Sequence, residues 1–91
     1  MRYTAKDIER IRRMGRRIAF FRKKNGLTQE HLAEKADVST VYLSKVECQY
    51  EVAGLSLGLL FHLSDALHIM PGQLLDDEDW LERRENSGSA R

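Results

Sequence analysis

Ninety-one residues carry 15 Lys/Arg against 14 Asp/Glu, a formal net charge of +1, with one cysteine and 42% hydrophobic residues. That length builds one domain burying roughly 60% of its unfolded surface, and the lone Cys48 excludes an internal disulfide or a four-thiolate zinc site. No apolar run approaches the ~20 residues of a membrane span, no secretory leader is readable, and a single thiol suits a reducing cytoplasm.

The near-zero total hides a segregation. Residues 1–26 hold ten basic side chains against Asp7 and Glu9, a net of +8, whereas residues 27–75 net −4 and residues 76–91 net −3. A basic segment at one end of a small domain suits a polyanion or an acidic protein surface; it equally suits a solvated helix face.

Thr4 has the chemistry of a helix cap, and Ile8, Ile11, Met14, Ile18 and Phe21 follow at three- and four-residue steps along one helical face. Gly15 weakens the middle by ~1 kcal/mol relative to alanine, which predicts either one helix or a short arm followed by a helix. Asn25-Gly26 ends it, because both residues tolerate the left-handed conformation of a helix terminus. Thr28 caps a second helix over 29–36 that buries Leu32, Ala33 and Ala36, and Asp37-Val38-Ser39 breaks the pattern. Ser39 caps a third helix over about 40–48, burying Leu43 and Val46. Residues 49–55 read as a loop, and Ser56 caps a fourth helix through Leu67. Pro71 suits the first turn of a short fifth helix over 72–75. Residues 76–91 are acidic and then Ser/Gly-rich, with Trp80 and Leu81 as the apolar anchors, and are expected to be partly disordered. The fold class is all-α, with five helices and a division into a basic amino-terminal arm or helix extension (1–13), a central domain (14–75) and an acidic carboxy-terminal tail (76–91).

Two short helices separated by about three residues, with the small Ala33 at their crossing, have the spacing of a helix-turn-helix, an arrangement in which the second helix is expected to enter the DNA major groove. The run Leu27-Thr28-Gln29-Glu30-His31-Leu32-Ala33-Glu34-Lys35-Ala36-Asp37-Val38-Ser39, with Tyr42-Leu43-Ser44-Lys45-Val46-Glu47, resembles the Cro/repressor-type helix-turn-helix family. The similarity extends to Gly15-Arg16-Arg17-Ile18 and Arg22 upstream, and to Ser56-Leu57 and Asp65-Ala66-Leu67 downstream.

The resemblance implies a repressor-like DNA-binding domain and assigns Gln29, which opens the second helix, to the phosphate backbone. On the third helix it places Thr40, Val41 and Ser44 nearest base edges with Lys45 one turn on. Thr and Val methyls pack on a thymine methyl, and a lysine donates to guanine O6/N7. Ser39 and Tyr42 are better suited to phosphates. The resemblance further implies that Arg22 pairs with Glu47 to fix the helices' relative position. Arg16, Arg17, Lys23 and Lys24 are candidates for additional phosphate contacts; alternatively they are solvated or pair with the acidic tail. Two glycines usual in the family are missing, with Cys48-Gln49-Tyr50 after the third helix and His68 after the fourth. A non-glycine residue in a left-handed conformation costs about 1 kcal/mol, so the 49–55 loop is expected to take another path.

The fourth helix is apolar on more than one side, which suggests self-association through Leu59, Leu63, Leu74, Trp80 and Leu81, or a broader core closed by the tail. His31, His62 and His68 share no metal-ligand spacing, and no catalytic residue, cofactor or metal site is expected. The expected function is a dimeric transcriptional regulator, most often a repressor, binding double-stranded DNA at a pseudo-palindromic operator in the nucleoid-associated cytoplasm. The rival is a protein-interaction module of the same fold, binding an unidentified protein partner with DNA secondary.

Overall fold

The computed structural model describes residues 2–48 and 54–75. Within them the chain forms α1 (Ala5–Lys24), α2 (Gln29–Ala36), α3 (Thr40–Glu47), α4 (Leu57–Leu67) and α5 (Gly72–Leu75), with no strand. Four caps start four helices in the same way: the hydroxyls of Thr4, Thr28, Ser39 and Ser56 accept from the backbone N–H three residues on, at 3.0–3.1 Å. At α1 the cap is reciprocal, because the Thr4 N–H donates to the Asp7 carboxylate at 2.9 Å. Those bonds from Thr4 hold the Asp7 carboxyl below its ordinary range.

Three helix ends share a second device. In α1, α2 and α4 the backbone closes with a pair of reversed hydrogen bonds around one left-handed residue: Gly26, Asp37 and His68 respectively. Glycine suits this position and aspartate tolerates it, whereas His68 carries a Cβ penalty at φ 58°. His68→Gly is therefore expected to stabilise the fold by about 0.5–1 kcal/mol. Thermal unfolding would show a midpoint raised by several degrees; an unchanged or lowered midpoint would mean that the imidazole makes a compensating contact. The helix that lost its usual glycine after α3 solves the problem differently. Cys48 leaves α3 in an extended conformation, φ −73° and ψ 133°, and so is not itself left-handed. Residues 49–53 lie outside the described residues.

α1 runs unbroken through Gly15, so the arm-then-helix alternative does not occur. The glycine is there for contact rather than flexibility: a Cβ at Gly15 would lie 2.2 Å from the carbonyl oxygen of Val46. The end of α3 thus rests directly on the α1 backbone. The core comprises Met14 and Ile18 of α1, Leu32, Ala33 and Ala36 of α2, Leu43 and Val46 of α3, Leu60, Leu63 and Leu67 of α4, and Leu74. Ser64 is fully buried among them and its hydroxyl donates to the Leu60 and Phe61 carbonyls within its own helix.

This packing corrects the expected self-association face. Leu63 and Leu74 are 0% and 1% exposed, because α2 and α1 cover α4 while α1 also packs against α5. Neither side chain reaches a partner without unfolding. Leu59 is half-buried against the core. The exposed large apolar groups on and just after α4 are Leu57 and Phe61, with Met70 and Leu75 beyond it. Trp80, Leu81 and the rest of 76–91 lie outside the described residues. No helix among the described residues is long and apolar enough to cross a membrane, and among them no group of three or more His, Cys, Asp or Glu could hold a metal.

Candidate nucleic-acid interface

α2 and α3 meet across the Asp37–Ser39 turn, and burial of Leu43 and Val46 turns the opposite face of α3 outward. Val41 is 68% exposed, and Ser44 and Lys45 lie beside it at the i+3 and i+4 positions. Ser39 is exposed at the helix start and Thr40 is half-buried. This exposed surface carries one charge, Lys45, together with hydroxyls and a valine. The chemistry of such a face suits methyl groups and hydrogen-bonding edges rather than charge alone.

Tyr42 is placed differently from the residues around it. It packs against the core, and its hydroxyl donates to the Gly54 carbonyl, tying α3 to the segment that leads into α4. Sequence patterning leaves such a bond invisible, since its acceptor is backbone.

The position of α3 is fixed by a charged cluster at its carboxy-terminal end. Arg22 Nε and a terminal nitrogen donate to the two Glu47 carboxylate oxygens at 2.8 and 3.0 Å. The remaining guanidinium nitrogen donates to the Leu27 carbonyl at 2.9 Å. The Arg22 and Glu47 side chains are only 12% and 5% exposed, so this is the pairing that the family resemblance implied, in a bidentate and nearly dry form. Gln29 joins it: Nε2 donates to Glu47 at 3.0 Å. The amide that opens α2 is thereby oriented from within the fold, and that bond uses only one of its two N–H groups.

The basic residues of α1 divide around the helix. At about 100° per residue, Arg16 and Lys23 share a face roughly a quarter turn from Gly15, which touches α3. Arg17 and Lys24 lie roughly half a turn away. Arg16 pairs with Glu9 at 3.0 Å in an exposed bridge. Arg17 donates through Nε to the Gln73 carbonyl, binding α5 to α1. Lys24 sits 6.0 Å above the Phe20 ring. The four candidate phosphate ligands therefore do not form one patch.

The helix-turn-helix family model matches residues 18–69. Among solved structures, the restriction-modification controller protein C.AhdI from Aeromonas hydrophila is 31% identical with a TM-score of 0.66, over 70% of this chain and 94% of that one. SinR of Bacillus subtilis, the master regulator for biofilm formation solved in complex with DNA, is 36% identical with a TM-score of 0.65, over 69% of this chain and 98% of that one. The SinR/SinI protein complex contains a chain that is 30% identical with a TM-score of 0.64, over 85% of this chain and 80% of that one. No curated protein sequence matches.

Proposed function

The chain belongs to the helix-turn-helix family of Cro/repressor type, and from that premise we propose that it is a sequence-specific regulator of transcription that reads double-stranded DNA with α3. The observation that carries this reading is the outward face of Val41, Ser44 and Lys45, held rigidly by the Arg22–Glu47–Gln29 cluster at its base. In this reading α3 lies in the major groove with Ser39 and Thr40 at its leading end. The second N–H of Gln29 and the start of α2 meet a phosphate. Arg16 and Lys23 supply further phosphate contacts from the near side of α1, while Arg17 and Lys24 act elsewhere. The regulator binds as a homodimer to a pseudo-palindrome and represses by occupying a promoter in the nucleoid. A two-fold protein suits half-sites about one helical turn apart, and the exposed Leu57 and Phe61 beside Leu59 provide apolar surface for self-association.

Selection from a random duplex pool tests the reading. A pseudo-palindrome is expected to emerge, and Lys45→Ala is expected to weaken its binding by about 1–3 kcal/mol while thermal stability stays the same. Loss of one phosphate contact, as in Lys23→Ala, instead lowers affinity evenly across sequences and reduces the salt slope by about 1. A second reading, a protein-interaction module, draws on the exposed Leu57, Phe61 and Met70 and on the likeness to a chain solved with a protein partner. A pool that selects nothing even at low salt would favour it.

A further inference from the structure

We propose that the outer face of α1 is the docking surface for the acidic segment of the same chain that follows α5, residues Asp76 to Glu82. Lys6, Arg10, Arg13 and Arg17 of α1 recur at three- and four-residue intervals, which puts them in one stripe along the helix. This stripe lies half a turn from Gly15 and Arg22, the residues through which α1 meets α3, so it faces away from the surface assigned to DNA. α5 borders it instead. Arg17 donates to the Gln73 carbonyl, and Leu75 lines a groove with Ile11 and Met14, nearer the start of α1. α5 therefore runs against the direction of α1 and ends at the groove of Ile11 and Met14, roughly a third of a turn from the stripe and facing the amino-terminal half of α1.

What comes next in the chain has the complementary charge: Asp76, Asp77, Glu78 and Asp79, then Trp80, Leu81 and Glu82. Four extended residues span about 13 Å, slightly more than the distance of about 10 Å from Arg13 back to Lys6 along the helix axis. The next residue, Trp80, then has the reach to arrive at the level of Tyr3, which is 47% exposed and lines the same groove as Leu75. Each exposed carboxylate–cation pair is weak alone. Tethering places the segment at an effective concentration on the order of millimolar, so several weak pairs suffice to hold it. The docked segment offsets positive charge on the far side of α1 and keeps its own carboxylates away from the reading face.

Trp80 is the only tryptophan and reports docking directly. Acrylamide quenching of its fluorescence in the full chain, without DNA, is expected to rise about twofold or more between low salt and 1 M NaCl, where screening acts within ~3 Å. The Lys6→Glu/Arg10→Glu variant should quench at low salt as the native chain does at high salt, with unchanged circular dichroism. Lys6→Glu lies in the first turn of α1, where a negative charge is favourable. Asp77→Asn/Asp79→Asn provides the reciprocal change without touching a described residue and should give the same rise. Quenching that ignores both variants would overturn the proposal, including the case in which Lys6→Glu/Arg10→Glu weakens only DNA binding. Protection of Trp80 that survives high salt would also overturn it, by showing apolar packing, as would protection that vanishes on dilution, by showing docking onto a second copy.

Discussion

Gly15→Ala is expected to destabilise the protein by about 2 kcal/mol or more, at the upper part of the range for overpacked cores, despite alanine being the better helix former. In an isolated helix the same change would gain about 1 kcal/mol. Here the added methyl meets the Val46 carbonyl oxygen at 2.2 Å, the Val46 carbonyl carbon at 3.3 Å and the Glu47 Cα at 3.6 Å. All three neighbours are backbone, so no side-chain rotation relieves the clash. α1 and α3 must separate by roughly 1 Å before ordinary contact is restored, and dense cores tolerate such shifts poorly. That separation loosens Ile18 and Val46, which are 0% and 4% exposed, and pulls Glu47 from Arg22. For a domain of this size the unfolding midpoint should fall by about 10 °C. Gly58→Ala in α4 is the control, because nothing lies within 4 Å of the added Cβ. It should raise the midpoint or leave it alone. If both substitutions raise it equally, α3 does not rest on α1 as described.

Gly15 also marks where reading a sequence stops. A glycine in mid-helix registers as a propensity cost, while the backbone oxygen that demands it belongs to another helix. The helix boundaries were legible because Thr28, Ser39 and Ser56 act locally, through hydroxyls bonded three residues on. The apolar faces of α4 were legible too, but periodicity tells which residues share a face and not which faces a neighbour covers. Leu63 of α4 is expected on a self-association face, yet α2 and α1 enclose that helix, and Leu74 of α5 is likewise covered, by α1. Tyr42 and Arg17 show the same limit for polar groups. Their acceptors are the Gly54 and Gln73 carbonyls, and a carbonyl has no residue type to recognise. Family resemblance implies the Arg22–Glu47 pair and assigns Gln29 to the phosphate backbone, but the bond from Gln29 to Glu47 is not legible in the sequence.

That cluster carries the other large effect. Glu47→Ala is expected to cost about 3 kcal/mol or more, because removing one partner of a buried pair leaves the other charge without compensation. Arg22 would keep only the Leu27 carbonyl, and the Gln29 amide would lose its acceptor. Against a total stability of 5–15 kcal/mol for an ordinary domain, such a loss leaves a marginal fold. Exposed bridges behave differently: Arg16–Glu9, with side chains 47% and 54% exposed, should contribute less than about 1 kcal/mol and fade with salt. A double-mutant cycle on Arg22→Ala and Glu47→Ala separates the pair's coupling from the cost of each truncation. The coupling should exceed about 1.5 kcal/mol and persist in high salt. DNA binding distinguishes anchoring from stability alone. Measured well below the unfolding midpoint, the affinity of Glu47→Ala should still fall, since both the end of α3 and the Gln29 amide have lost the carboxylate that orients them. Native affinity in a folded Glu47→Ala protein would reduce the cluster to a stabilising ion pair. A coupling no larger than that of Arg16 and Glu9 would mean that Arg22 and Glu47 contribute no more to the fold than an exposed bridge.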